Sequence, residues 1–209
     1  MARHARRVLQ ERAAKGVEGD TLAIAANAIR PKTAILKQED QSLEKAVRLR
    51  CLWTLQVLGK LDSGMALKNG LSQDSDEYVR AWTIQLLCED KKVPGGILKE
   101  FVRLAREDKS PVVRLYLAAA MQRLPIDDRW EVIEALAQHA EDANDHNLPL
   151  MVWYAGEPLP TKDFNRALKL AENAKLPKIL EFMVRRTGAL NNPEAFAAIA
   201  DCEGDGVSR

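Results

Sequence analysis

A Val-Arg pair returns along this chain at nearly constant spacing: Val47-Arg48, Val79-Arg80 and Val113-Arg114, after 32 and then 34 residues. Six residues before two of these arginines stands an aspartate, Asp74 before Arg80 and Asp108 before Arg114. Ser42 holds that place in the first copy. Asp142 holds it again 34 residues after Asp108, where Leu148 replaces the arginine. A period in this range marks an array of supersecondary units. Such a unit cannot bury its apolar stripe alone, so consecutive copies must stack on one continuous core. That requirement excludes most other architectures.

Each copy reads as two helices. The first-of-pair helices are expected near 21–38, 64–72, 94–107, 127–140 and 160–173. The second-of-pair helices are expected near 44–60, 76–88, 110–124, 146–157 and 175–187. Gly59, Asp62-Ser63-Gly64, Pro94-Gly95-Gly96 and Pro125 fall at the joints, where helix breakers belong. Counted from the arginine, offsets −1, +3, +4 and +7 give Val47, Cys51, Leu52 and Leu55, then Val79, Thr83, Ile84 and Leu87, then Val113, Leu117, Ala118 and Met121. These offsets share one helix face, the expected buried one. The fold class is therefore all-α, an α-α superhelix of about five helix pairs. Composition agrees: 29 Ala and 27 Leu supply strong helix formers, and only 11 aromatics are present, too few for a β-sandwich. Residues 1–190 form the repeat domain, with 1–16 as a basic capping helix. Residues 191–209 form a weakly ordered tail with a short helix near 193–201.

The aspartates and arginines make a ladder of Arg48, Asp74, Arg80, Asp108, Arg114 and Asp142, paired within a turn or with the next copy. Exposed pairs of this kind contribute about 0–1 kcal/mol, so the ladder is expected to set register more than stability. The net charge is +1, which provides no basic footprint for nucleic acid. No run approaches the roughly 20 apolar residues of a membrane span, and no apolar segment follows the N-terminal arginines as in a secretory signal. Three cysteines without a CxxC argue against a disulfide framework or a zinc site; Cys51 and Cys88 read as buried small hydrophobes.

Chemistry is scarce. There is no GxSxG, P-loop, GxGxxG or HExxH, and only three histidines. The turn His139-Ala-Glu-Asp-Ala-Asn-Asp-His146 gathers His139, Asp142, Asp145 and His146, weak candidates for a divalent cation. The competing reading is a helix-to-helix turn in which Asp145 or Asn147 caps the next helix. Trp53, Trp82, Tyr116 and Trp153 stand at +2 or +5 from their arginine positions, turned from the buried face. Trp, Tyr and Arg are enriched at binding hot spots, so these four with Arg50 are the candidate partner-binding stripe. The alternative is that they pack against neighbouring repeats.

The three Val-Arg copies and their aspartates resemble the HEAT repeat of armadillo-type solenoids. A longer set resembles, in order, the HEAT-like region of bacterial membrane-bound dehydrogenase proteins. It comprises Arg3-His4-Ala5-Arg6-Arg7-Val8-Leu9-Gln10-Glu11-Arg12, Arg48-Leu49-Arg50-Cys51-Leu52-Trp53-Thr54-Leu55, Val79-Arg80-Ala81-Trp82, Glu141 to Tyr154, Glu157-Pro158-Leu159, and Phe182-Met183-Val184-Arg185-Arg186. In that family the region follows a β-propeller and precedes a c-type haem domain. This chain has no CxxCH and is too short for a propeller. The resemblance therefore implies a non-catalytic scaffold without cofactor, an excised domain or a stand-alone relative. It would line its concave side with second helices and bind a propeller dehydrogenase or a c-type cytochrome. Its relatives are typically periplasmic or membrane-associated. Two alternatives remain, a HEAT-like DNA alkylbase glycosylase and a HEAT-like lyase or chaperone that handles a tetrapyrrole.

Overall fold

The computed structural model describes residue 11, residues 38–67 and residues 74–206, with 38–44 and 202–206 as backbone only. The expected helices at 1–16 and 21–38 thus lie outside the described residues, apart from position 11 and the start of α1. Every regular element among the described residues is helical. No described helix is long and apolar enough to cross a membrane. The chain forms two compact units, residues 1–87 and 88–209.

In the first unit, α1 spans Gln38–Val57, α2 Ser63–Ala66 and α3 Glu77–Leu87. Helices α1 and α3 pack together. Leu52, Leu55 and Leu86 form their core, with Cys51, Trp53, Leu61, Met65 and Trp82 packed around it. Val47, expected on the buried face, is 39% exposed, and Arg48 beside it is the buried residue. The inward place at that turn goes to the guanidinium because its aspartate partner lies inside.

Gly59 ends α1 as the joint residues foretell. It adopts φ +65, the left-handed region. Its N–H donates to the Gln56 carbonyl at 3.0 Å, and the Lys60 N–H donates to the Leu55 carbonyl at 2.9 Å. This is a Schellman cap, in which glycine avoids the Cβ penalty. Gly59→Ala should destabilise the unit by about 1 kcal/mol, read from urea midpoints. Since open space surrounds a Cβ there, the loss is conformational. An unchanged midpoint would show that this cap carries no strain. Asp62 then starts α2, its Oδ1 accepting from Met65 N–H at 2.7 Å.

The second unit runs α4 Gly95–Glu107, α5 Pro111–Met121, α6 Trp130–Leu136, α7 Leu148–Gly156, α8 Phe164–Glu172, α9 Pro177–Gly188 and α10 Pro193–Gly206. Short 3-10 turns precede α6, α7 and α8. Neighbours in sequence pack, and so do alternate helices: α4 on α6, α5 on α7, α7 on α9 and α8 on α10. Helix α4 buries Ile97, Phe101, Leu104 and Ala105, one face at i, i+4, i+7 and i+8. Helix α5 buries Val113, Leu117, Ala118 and Met121, the face foretold by the repeat.

Two first-of-pair helices are shorter than expected, whereas α4 matches its expected 94–107. The stretch at 127–140 is a 3-10 turn followed by seven α-helical residues. The stretch at 160–173 is interrupted by Asp163, whose Oδ1 accepts from Arg166 N–H at 2.9 Å and so starts α8 afresh. The helix expected at 193–201 extends to Gly206 and packs on α8 and α9, with Ala195 buried. Arg129 fixes two chain ends at once. Its guanidinium donates to the Leu124 and Gln122 carbonyls after α5 and to the Ala155 carbonyl near the end of α7.

Candidate functional site

Arg114 lies inside the second unit with 2% of its surface exposed. Its Nε and Nη2 donate to Asp142 Oδ2 and Oδ1, both at 2.6 Å, and Nη1 donates to the Asp108 carbonyl at 2.9 Å. In the first unit Arg48 is ion-paired with Asp74, and Arg80 donates to the Asp74 carbonyl at 2.8 Å. Asp74 thus offers its carbonyl to the arginine six residues on and its carboxylate to the arginine of the preceding copy; Asp108 repeats the first contact and Asp142 the second. The expectation that these rungs are exposed and weak needs correction: Arg48, Asp74, Arg114 and Asp142 are all at most 6% exposed. A buried bidentate pair is costly to break from one side.

The turn at 139–146 is used for folding. His139 Nε2 lies 2.7 Å from the Ala105 carbonyl, and Nδ1 lies 2.7 Å from Glu141 Oε1. Asp142 is occupied by Arg114. Asp145 Oδ1 accepts from the N–H groups of Asn147 and Leu148, both at 2.8 Å, and thereby starts α7. His146 is exposed. Among the described residues no three His, Cys, Asp or Glu side chains are grouped to hold a metal ion.

Two of these carboxyls titrate below their ordinary range. Glu141 is lowered chiefly by the hydrogen bond with His139. Asp145 is lowered by the Leu148 N–H and then the Asn147 N–H. A carboxyl depressed in the folded state adds stability above its unfolded pKa, near 4, and loses it as pH falls through the folded value. Urea midpoints should therefore fall between about pH 5 and pH 3, and Asp145→Asn should make that fall shallower. A variant with the wild-type pH slope would remove Asp145 from the account. Burial pushes the Cys88 thiol up to about 12 and raises that of half-buried Cys51, so neither is a thiolate at neutral pH.

The aromatic residues divide between the units. Trp53 and Trp82 meet edge to face, ring centroids 5.1 Å apart, on the Leu52–Leu55–Leu86 core. Both are half-buried, and Trp53 Nε1 is buried with no acceptor among the described residues. Arg50 is exposed and Tyr116 half-buried. Trp153 is half-buried against Phe182, ring centroids 5.5 Å apart.

That last pair opens onto a cleft of about 410 Å³ between α7 and α9. Leu150, Trp153, Tyr154 and Glu157 occupy positions i, i+3, i+4 and i+7 on α7 and form one wall. Phe182, Arg185 and Arg186, at i, i+3 and i+4 on α9, form the other. Arg186 Nε meets Glu157 Oε1 at 2.5 Å across the rim, and exposed Arg185 pairs with Glu181 one turn back at 2.8 Å. A reading of Arg185 and Arg186 as helix-dipole partners captures only their place in the last turn of α9. Phe182 and the cross-helix role of Glu157 were not anticipated. Their signal was the matching i, i+3, i+4 spacing on two helices.

A second groove, of about 370 Å³, lies between α6 and α8. Its polar groups already satisfy one another. Arg166 sits 4.4 Å over the Trp130 ring and pairs with Glu134 at 2.9 Å, and Gln138 donates to the Asn173 carbonyl at 2.8 Å.

No protein-family model and no solved structure matches the chain. It is similar to 4-hydroxy-tetrahydrodipicolinate synthase of Rhizobium meliloti (strain 1021), 29% identical over 137 residues, which are 62% of this chain and 46% of that protein. The chain thus spans about half the length of the curated relative it matches. The likeness corrects the reading of a non-catalytic scaffold within a dehydrogenase–cytochrome assembly, because the relative's name is that of an enzyme.

Proposed function

We propose that the chain is a HEAT-like helical-repeat solenoid whose second unit binds a small organic molecule in the cleft between α7 and α9. The observation that carries the binding is the cleft itself. Its volume falls in the range of small-molecule sites, its walls are aromatic, and its polar groups are few and gathered at one rim. The similarity to a synthase supports a ligand of metabolite size. The solenoid is supported by the packing of alternate helices in the second unit and by the recurrence of the Arg–Asp rung in each unit.

The four tryptophans give four indole N–H resonances, and the one lost in Trp153→Phe identifies the reporter. Pyridine-2,6-dicarboxylate and its neutral diamide serve as flat probes. A saturable shift of the Trp153 resonance with either probe, with Trp53, Trp82 and Trp130 unmoved, is the expected result. Silence of Trp153 with both probes up to about 10 mM, far above useful affinity, would end the reading.

A further inference from the structure

We infer that the cleft selects a planar aromatic carboxylate, which takes over Arg186 from Glu157; this rests on the reading of the cleft as a small-molecule site. Trp153 and Phe182 meet at an interplanar angle of 59°, so their rings form an open corner rather than a closed stack. A flat ring entering that corner gains offset or edge contacts with both. Tyr154, 52% exposed, borders the same opening from α7.

The rim is cationic on the α9 side. The Arg186 guanidinium is planar and suits the two oxygens of a carboxylate, which accept parallel N–H bonds. Glu157 occupies only its Nε edge. The side chains as a whole are partly exposed, 30% for Arg186 and 43% for Glu157, but the Arg186 Nε is buried and makes no aligned hydrogen bond, so a carboxylate that meets the guanidinium in line can displace Glu157. The ligand's ring then decides the exchange, because Glu157 brings no aromatic surface. Arg185 adds positive charge beside the same opening. Its own partner, Glu181, is a solvent-exposed contact within α9. A cationic ring would meet two guanidinium groups, and a neutral ring would gain stacking alone. The ligand class is therefore an anionic ring compound.

The test compares pyridine-2,6-dicarboxylate with its diamide on the intact chain, following the Trp153 indole resonance. The dicarboxylate should bind at least about tenfold more tightly, the worth of a charge-assisted hydrogen bond. Arg186→Gln should erase that preference while the diamide's affinity stays. Glu157→Gln, which removes the competitor and keeps the side-chain shape, should tighten the dicarboxylate several-fold and leave the diamide unchanged. Circular dichroism of each variant checks folding, and the diamide titration is a second check within the same cleft. Equal affinities for the two probes, or a Glu157→Gln variant indistinguishable from wild type, would overturn the carboxylate assignment and leave the cleft as a neutral-ring site. Binding of neither probe would overturn the site as well.

Discussion

Asp142→Ala should destabilise the second unit by about 3–5 kcal/mol, enough to lower its urea midpoint severely. The carboxylate accepts two hydrogen bonds of 2.6 Å from Arg114, and both residues are at most 4% exposed. Removing it strands a guanidinium in the interior with the Asp108 carbonyl and, 3.7 Å away, the exposed Glu141 carboxylate as its remaining partners. The cost is that of an uncompensated buried charge, and the net worth of the intact pair is smaller. A double variant shows the difference. Arg114→Met with Asp142→Leu replaces the pair by apolar bulk and should recover most of the loss. If Asp142→Ala lies within about 1 kcal/mol of wild type, the rung is no stronger than a surface pair and the ladder is ornamental.

The second large effect is apolar. Phe101 on α4 is fully buried, where α4 packs on α5 and α6. Phe101→Ala should cost about 3–5 kcal/mol, the sum of lost transfer energy and the cavity left behind. Domains of this size commonly hold about 5–15 kcal/mol in total, so the variant should sit near the edge of folding at 37 °C. Urea denaturation at 25 °C measures it. A loss below about 1.5 kcal/mol would mean that α4 settles into the space and that this end of the unit is loosely packed. Unlike the ladder variant, this one has no partner substitution that restores it.

The parts of the fold readable from sequence were those set by local pattern. The Val-Arg period located α3 and α5 to within a few residues, because breakers and apolar offsets agreed there. The first-of-pair helices at 127–140 and 160–173 are shorter than the pattern suggests. Asp163 is a capping residue inside the second of these stretches, and it starts the helix that the helix formers after it continue. The ladder's spacing was visible, but its burial was not, since burial depends on what the next helix brings. Val47 shows the same limit: its offset was right for the inner face, and the neighbouring Arg48 took the place.

The candidate site was half legible. Trp153 stood out as an aromatic turned away from the expected buried face. Phe182 did not, because Glu181, Arg185 and Arg186 make its helix look merely solvated. A cleft is a relation between two helices, and neither α7 nor α9 announces it alone. The functional reading followed the dominant repeat signal toward a scaffold.

The ladder's missing arginine has a consequence of its own. At position 148, where the period calls for a guanidinium, α7 carries a buried leucine. Helix α5 is thus clasped from inside, by Arg114 on Asp142, to the turn that leads into α7. The period supplies no such clasp to α7 and α9, and their ion pair sits at the rim, in contact with water. That seam can part by a small rotation without stranding a buried charge. Within the second unit the seam between α7 and α9 thus lacks the buried guanidinium that ties α5 to the turn before α7, and the cleft lies along that seam.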